Sequence, residues 1–113
     1  MKYTITFLFM CLTTLINAQD ISGDGIEVVE FNASFSKSKC EFLDNLEDCE
    51  TLRIDIFENT DAQKKHKIAV VPSVVIFSDG IEVSRFQANI MMQLETTQEE
   101  IQDAINEAIM NGF

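Results

Sequence analysis

The sequence predicts an α/β domain: a four-stranded mixed sheet with parallel and antiparallel strands, flanked by about three helices. Three observations point to it. Short apolar runs alternate with helix-like segments in the order β-α-β-α-β-β-α between Ile26 and Ile109, and the first half of that order requires parallel strands joined by helical crossovers. The run Ser73-Val74-Val75-Ile76-Phe77 is almost continuously apolar, as expected of a strand covered on both faces. Asp79-Gly80 separates two such runs, which is a strong hairpin signal and adds an antiparallel edge.

The first strand is read over Ile26–Phe31. Ser36 or Ser38 can cap a first helix running from Cys40 to about Asp48, with Cys40, Leu43 and Leu46 on one side. Thr51–Phe57 alternates and reads as the second strand. Asn59 to Lys67 is a short polar helix opened by Asn59 or Thr60. Ser73–Phe77 and Ile81–Phe86 form the hairpin arms. Thr96 or Thr97 caps the last helix, Glu99 and Glu100 place acid in its first turn, and Ile101, Ala104, Ile105, Ala108 and Ile109 form its apolar stripe. Gly112 can end it.

Residues 1–18 stand apart. Lys2, the mostly apolar stretch Ile5–Ile16 and the small residue Ala18 read as a secretory signal peptide cleaved after Ala18. The stretch is too short and too rich in Thr for a stable membrane span. The expected mature chain then begins at Gln19, with 19–25 a loose lead-in and 26–113 one small domain. It is exported, periplasmic or secreted. Seven Lys and Arg remain against nineteen Asp and Glu, a net charge of about −12, which repels nucleic-acid backbones and anionic lipid. Only Cys40 and Cys49 survive cleavage. In an oxidising compartment such a pair can close, but one straight helix would hold them about 13 Å apart, and a disulfide needs Cα atoms within about 7 Å.

Several local words resemble the thioredoxin-like family, over residues 26 to about 110. Val28-Val29-Glu30-Phe31-Asn32-Ala33-Ser34-Phe35 is similar to the strand that leads into that family's active site. Val71-Pro72-Ser73 is similar to its cis-proline segment, and Val74–Gly80 to the strand and turn that follow. The resemblance implies a minimal version of the fold, without the family's initial strand and helix and with a shortened first helix. It also implies disulfide exchange by a C-x-x-C pair, in which a helix N-terminus stabilises the first thiolate. Here Ser36 and Lys39 occupy those two positions, with Lys37 and Ser38 between them. A serine hydroxyl cannot form a disulfide, so the ordinary dithiol reaction is absent at that position.

Two readings of the site follow. In the leading one the domain is redox-inactive or degenerate and binds a peptide or protein partner. The resemblance implies a groove of Ser36, Lys37, Ser38, Lys39, Val71 and Pro72, with Pro72 cis and the Val71 backbone facing an extended segment. In the alternative the chain is an atypical thiol-disulfide oxidoreductase acting in cell redox homeostasis, with Cys40 as the attacking thiol and Cys49 resolving. That reading requires an exposed, acidic Cys40, whereas the stripe with Leu43 and Leu46 places it in the core. The resemblance matches Glu30 to the family's buried acid, and an ion pair with Lys39 is the plain expectation. His66, in the basic cluster Lys64–Lys67, is expected at a solvent-facing helix end, with no catalytic or metal role. Cys40, Cys49 and His66 lack zinc-site spacing, and no cofactor is implied. Met91 and Met92 either fill gaps or line an adaptable surface near Pro72. Asn32-Ala33-Ser34 matches the N-glycosylation pattern at a strand end.

Overall fold

The computed structural model describes residues 21–36 and 38–111. The expected leader, Lys37 and the Gly112 stop signal lie outside the described residues. Four strands form one mixed sheet in the order β2-β1-β3-β4: β1 is Ile26–Asn32, β2 Glu50–Asp55, β3 Ser73–Ser78 and β4 Ile81–Gln87. β1 runs parallel to β2 and antiparallel to β3, and β3 is antiparallel to β4. Among the described residues two α-helices, α1 (Thr60–His66) and α2 (Gln98–Met110), complete the set with a single 3-10 turn at Leu43–Asn45.

The alternation of β1 and β3 divides the core between the two faces of the sheet. Val29, Phe31, Val75 and Phe77 join Ile54, Ile56 and Ile68 on the face that α1 approaches. Val28, Val74 and Ile76 join Ile101 and Ile105 of α2 on the other. All six residues of β3 are buried, as its unbroken apolar run requires. In the hairpin, Asp79 and Gly80 both have positive φ, 50° and 83°, the paired left-handed geometry of a two-residue turn that follows the strand twist.

Both helices begin on the expected caps. Asn59 accepts from the Ala62 N–H at 3.2 Å. Thr97 and Glu100 form a reciprocal capping box, with the Thr97 hydroxyl accepting from the Glu100 N–H at 3.2 Å. The stripe of α2 is narrower than its apolar spacing implies: Ile101, Ile105 and Ala108 are buried, while Ile109 is exposed. The lead-in is tied to the sheet. Glu27 accepts from the Ser22 and Gly23 N–H groups at 3.0 and 2.9 Å, and the Gly25 N–H donates to Asp79 at 2.8 Å.

The expected helix from Cys40 to Asp48 is not formed, so neither Ser36 nor Ser38 caps one. Distant side chains have taken its backbone groups. The Cys40 carbonyl accepts from Arg53 at 2.8 Å. Gln102 of α2 holds both polar groups of the Glu47 backbone, accepting from its N–H at 2.8 Å and donating to its carbonyl at 3.0 Å. Asp44, Asn45 and Asp48 are also weak helix formers, and Asp48 sits at φ 63°. The stripe nevertheless survives, because a three-residue spacing also suits a 3-10 turn: Cys40, Leu43 and Leu46 are all buried against α2.

His66 also differs from expectation. At the last turn of α1 its ring lies back on the sheet, with centroids 5.3 Å from Phe31 and 5.2 Å from Phe77. The aromatic surface of β1 and β3 gives the ring a place to bury. Arg85 then closes the helix end, donating to the His66 and Lys67 carbonyls at 2.5 and 3.0 Å and pairing with Glu82 at 2.7 Å.

Candidate functional site

The strand register gathers four loops at one end of the sheet. Asn32 pairs with Asp55, Phe31 with Ser73, and Ser73 with Gln87. The segments after β1, β2 and β4 and the segment before β3 therefore share one rim. It is the end where open α/β sheets usually bind ligands, beyond the carboxyl ends of their parallel strands.

The loop after β1 is built around Asn32 and Glu30. Its first turn closes with the Ser36 N–H on the Ala33 carbonyl at 2.9 Å. The Asn32 amide donates to the Ser38 carbonyl at 2.8 Å and to Glu30 at 3.0 Å, while its oxygen accepts from the Ala33 N–H at 2.8 Å. The Ser36 hydroxyl donates to the Ser38 carbonyl at 3.1 Å and accepts from the Ser38 N–H at 3.3 Å. Neither of these partners can take up a proton, so among the described hydrogen bonds none gives this hydroxyl a general base. Lys39 is exposed.

Glu30 is fully buried, and its partner is not the expected Lys39. Arg53 supplies the counter-charge, with Nε 2.9 Å from Oε1. The other oxygen, Oε2, accepts from the Cys40 N–H at 2.8 Å and from Asn32. Parallel pairing explains the choice, because Glu30 and Arg53 are register partners on neighbouring strands, whereas Lys39 lies out in the loop. Arg53 also reaches Asp44 at 3.3 Å. With three donors on one carboxylate, the burial of its charge is compensated. A crevice of about 300 Å³ opens over this network, lined by Glu30, Asn32, Ser36, Lys39, Arg53 and Asp55 among others.

Both described cysteines are free thiols. Cys40 is 2% exposed, and burial, reinforced by the Glu30 charge, pushes its pKa up from 9.0 to about 11. Cys49 is half-buried, and its thiol is pushed up by burial and then by the Asp48 and Glu50 charges. Among the described residues neither thiol is at the start of an α-helix, so the thiolate stabilisation that such an end offers is not supplied by its own segment. The exposed, acidic Cys40 required by the oxidoreductase reading is not found. Among the described residues no cluster of His, Cys, Asp and Glu could hold a metal ion.

On the opposite side of the rim the Val71–Pro72 peptide bond is cis. The side chains of both residues are buried, so this segment can offer a ligand only its backbone. The Pro72 carbonyl accepts from the Ala88 N–H at 3.1 Å and the Ser73 hydroxyl donates to the Val70 carbonyl at 2.6 Å. No hydrogen bond involves the Val71 N–H or carbonyl among the described residues.

Three features of this rim were not evident from sequence as site elements. Arg53 looked like one polar position in an alternating strand. Phe35 and Phe57 form an exposed ring pair with centroids 5.1 Å apart, although the two residues lie in separate loops. The loop after β4 is a closed turn: the Asn89 side chain accepts from the Met91 and Gln93 N–H groups at 2.9 and 3.0 Å, and the Asn89 N–H donates to the Gln93 carbonyl at 2.9 Å. That turn lifts Ile90 (99% exposed) and Met91 (72% exposed) into solvent, while Met92 packs on the core. Of the two Met residues singled out by sequence, one therefore faces out and the other fills.

The Asn32 pattern is closed by this geometry, since the amide nitrogen is committed to Ser38 and Glu30. When the full chain is expressed through a glycosylating secretory route, intact-mass spectrometry is expected to show Asn32 unmodified. Substantial occupancy would mean that the Asn32 brace does not form before the modifying enzyme reaches it.

No family model and no curated protein matches the chain by sequence. Solved structures do. A mutant thioredoxin from Halobacterium salinarum superposes with TM-score 0.61 at 20% identity, covering 77% of each chain. Thioredoxin 1 from Thermosipho africanus gives 0.60 at 19% identity, over 75% of this chain and 96% of that one. Fasciola hepatica thioredoxin gives 0.56 at 22% identity, over 86% and 90%. The chain therefore has the thioredoxin-like fold, in a minimal four-stranded form, and it lacks the C-x-x-C pair. No helix of the described residues is long and apolar enough to cross a membrane.

Proposed function

We propose that this chain is the exported, redox-inactive form of a thioredoxin-like domain and that it binds an extended peptide or protein segment beside Pro72. The carrying observation is the unpaired Val71 backbone next to the cis peptide bond. An extended segment can satisfy that N–H and carbonyl as an added strand does at a sheet edge. The neighbouring exposed Ile90 and Met91 supply apolar contact on a turn already held by Asn89, so little ordering cost falls on the domain when it binds. Ser36, Ser38 and Lys39 lie in the loop across the rim, with Lys39 available to a carboxylate on the partner. The missing dithiol argues for holding rather than exchange: the positions that would carry the reaction are Ser36 and Lys39. Export rests on residues 1–18 and predicts a mature N-terminus at Gln19.

Selection of peptides from a random display library on the mature domain tests the reading. Selected peptides are expected to shift amide resonances of residues 70–73 and 88–93, and the double change Ile90→Asp with Met91→Asp is expected to weaken them about tenfold or more. Selections that yield nothing, or peptides that shift only other surfaces, would refute it.

A further inference from the structure

The charges of this domain are segregated. Segments 40–52 and 86–111 contain ten Asp and Glu and no Lys, Arg or His, and all ten acids are exposed. These segments pack on the same face of the sheet and are joined by the Gln102–Glu47 hydrogen bonds. Apart from Arg53, which reaches Asp44, and Lys39 in the loop before Cys40, the described cations lie elsewhere. Lys64, Lys65 and Lys67 are at the end of α1, and Arg85 is turned to that side by its bonds to the His66 and Lys67 carbonyls. One face of the molecule is thus predominantly acidic: Arg53 offsets Asp44 at 3.3 Å, and the other nine acids have no ion-pair partner among the described residues.

That face contains an open groove beside an open strand edge. β4 ends the sheet, so its outer backbone edge has no partner among the described strands. The register of β3 and β4 slips between Ile76 and Phe77: Ile76 pairs with Ser84 and Phe77 with Glu82, leaving Val83 unopposed. Such a bulge re-aims a side chain, and here Val83 lines a groove of about 230 Å³ between β4 and α2. Ala104 and Ala108 form part of the helical wall, and their small side chains leave the space open. Glu107 lines the groove, and the four-three-four spacing of Glu100, Ala104, Glu107 and Asn111 puts Glu100 on the same helix side one turn further on, where it also serves the Thr97 cap. Ile81 and Val83 are exposed on the strand side.

We propose that the outer edge of β4 and this groove dock an extended, Lys- or Arg-rich segment of a partner protein. Main-chain pairing along β4 and a small apolar side chain in the groove set its position, and basic residues meet Glu100 and Glu107. The charge excludes nucleic acid and anionic membranes from the same surface. This site is separate from the rim at Pro72 and does not depend on it.

A short capped peptide of alternating lysine and valine is the probe, titrated into the isotope-labelled mature domain at about 50 and about 300 mM salt. Amide shifts are expected along Ile81–Gln87 and Ala104–Asn111, with weaker binding at the higher salt. The change Glu100→Gln with Glu107→Gln should raise Kd about three- to tenfold, and Glu47→Gln with Glu50→Gln should leave it unchanged. Equal weakening by both pairs would mean diffuse attraction and would overturn the proposal. So would shifts confined to residues 70–73 and 88–93, or no binding at about millimolar peptide. Self-association in sedimentation velocity that is abolished by Lys64→Glu with Lys65→Glu would assign this face to a second copy, and would overturn it as well.

Discussion

Replacing Arg53 with methionine is expected to destabilise the domain by about 3 kcal/mol or more, because it strips the counter-charge from a fully buried carboxylate. Arg53 holds three points at once: Glu30 at 2.9 Å, the Cys40 carbonyl at 2.8 Å and Asp44 at 3.3 Å. The Asp44 contact is exposed and contributes little. Glu30 dominates, since it is buried and cannot regain water without opening the loop that Cys40 begins. For a domain of this size the melting temperature should fall by roughly 10 °C or more. Adding Glu30→Gln to Arg53→Met should return a large part of the loss. Glutamine keeps an acceptor for the Cys40 N–H and removes the uncompensated charge. Denaturant unfolding of the two single variants and the double variant measures the coupling. An Arg53→Met protein as stable as the parent would show that Glu30 does not need this partner.

Cys40 is expected to resist modification in the folded protein, reacting at least about a hundredfold more slowly than in the unfolded chain near neutral pH. The pKa displacement alone accounts for that factor, since a thiol at about 11 in place of 9.0 carries about a hundredth of the thiolate. Burial slows it further. A Cys49→Ser background isolates the signal. The same displacement makes stability pH-dependent in a defined direction. The folded-state pKa is the raised one, so the folded protein retains the Cys40 proton that the unfolded chain loses around pH 9. The stabilisation is complete below about pH 9 and declines as pH rises toward about 11, by about 3 kcal/mol in all. A native Cys40 that reacts as fast as an unfolded thiol would restore the oxidoreductase reading.

Both results bear on how a thioredoxin-like rim works without its thiols. The Glu30 carboxylate is turned inward. Glu30, Asn32 and Arg53 fasten Ser38 and Cys40 of the loop after β1, and the Val71 backbone makes no hydrogen bond among the described residues. A loop fastened in this way is pre-organised.

Much of this was legible in the chain itself. The succession of elements follows from periodicity, from the continuous run of β3 and from Asp79-Gly80, because these are local properties with local causes. The caps Asn59 and Thr97 are legible for the same reason, as each satisfies backbone donors three residues away. The loss of the dithiol is a matter of residue identity at positions 36 and 39. Tertiary structure decided the rest. The helix expected at Cys40–Asp48 gave way to a 3-10 turn because Arg53 and Gln102, 13 and 55 residues from their backbone partners, took over its hydrogen bonds. The partner of Glu30 was set by strand register, which places Arg53 opposite it and leaves Lys39 in the loop. The Phe35–Phe57 pair, the Ile90 turn and the acidic groove beside β4 each join segments distant in sequence. Periodicity reports which side of an element is apolar, but only the packed sheet determines which residues meet across it.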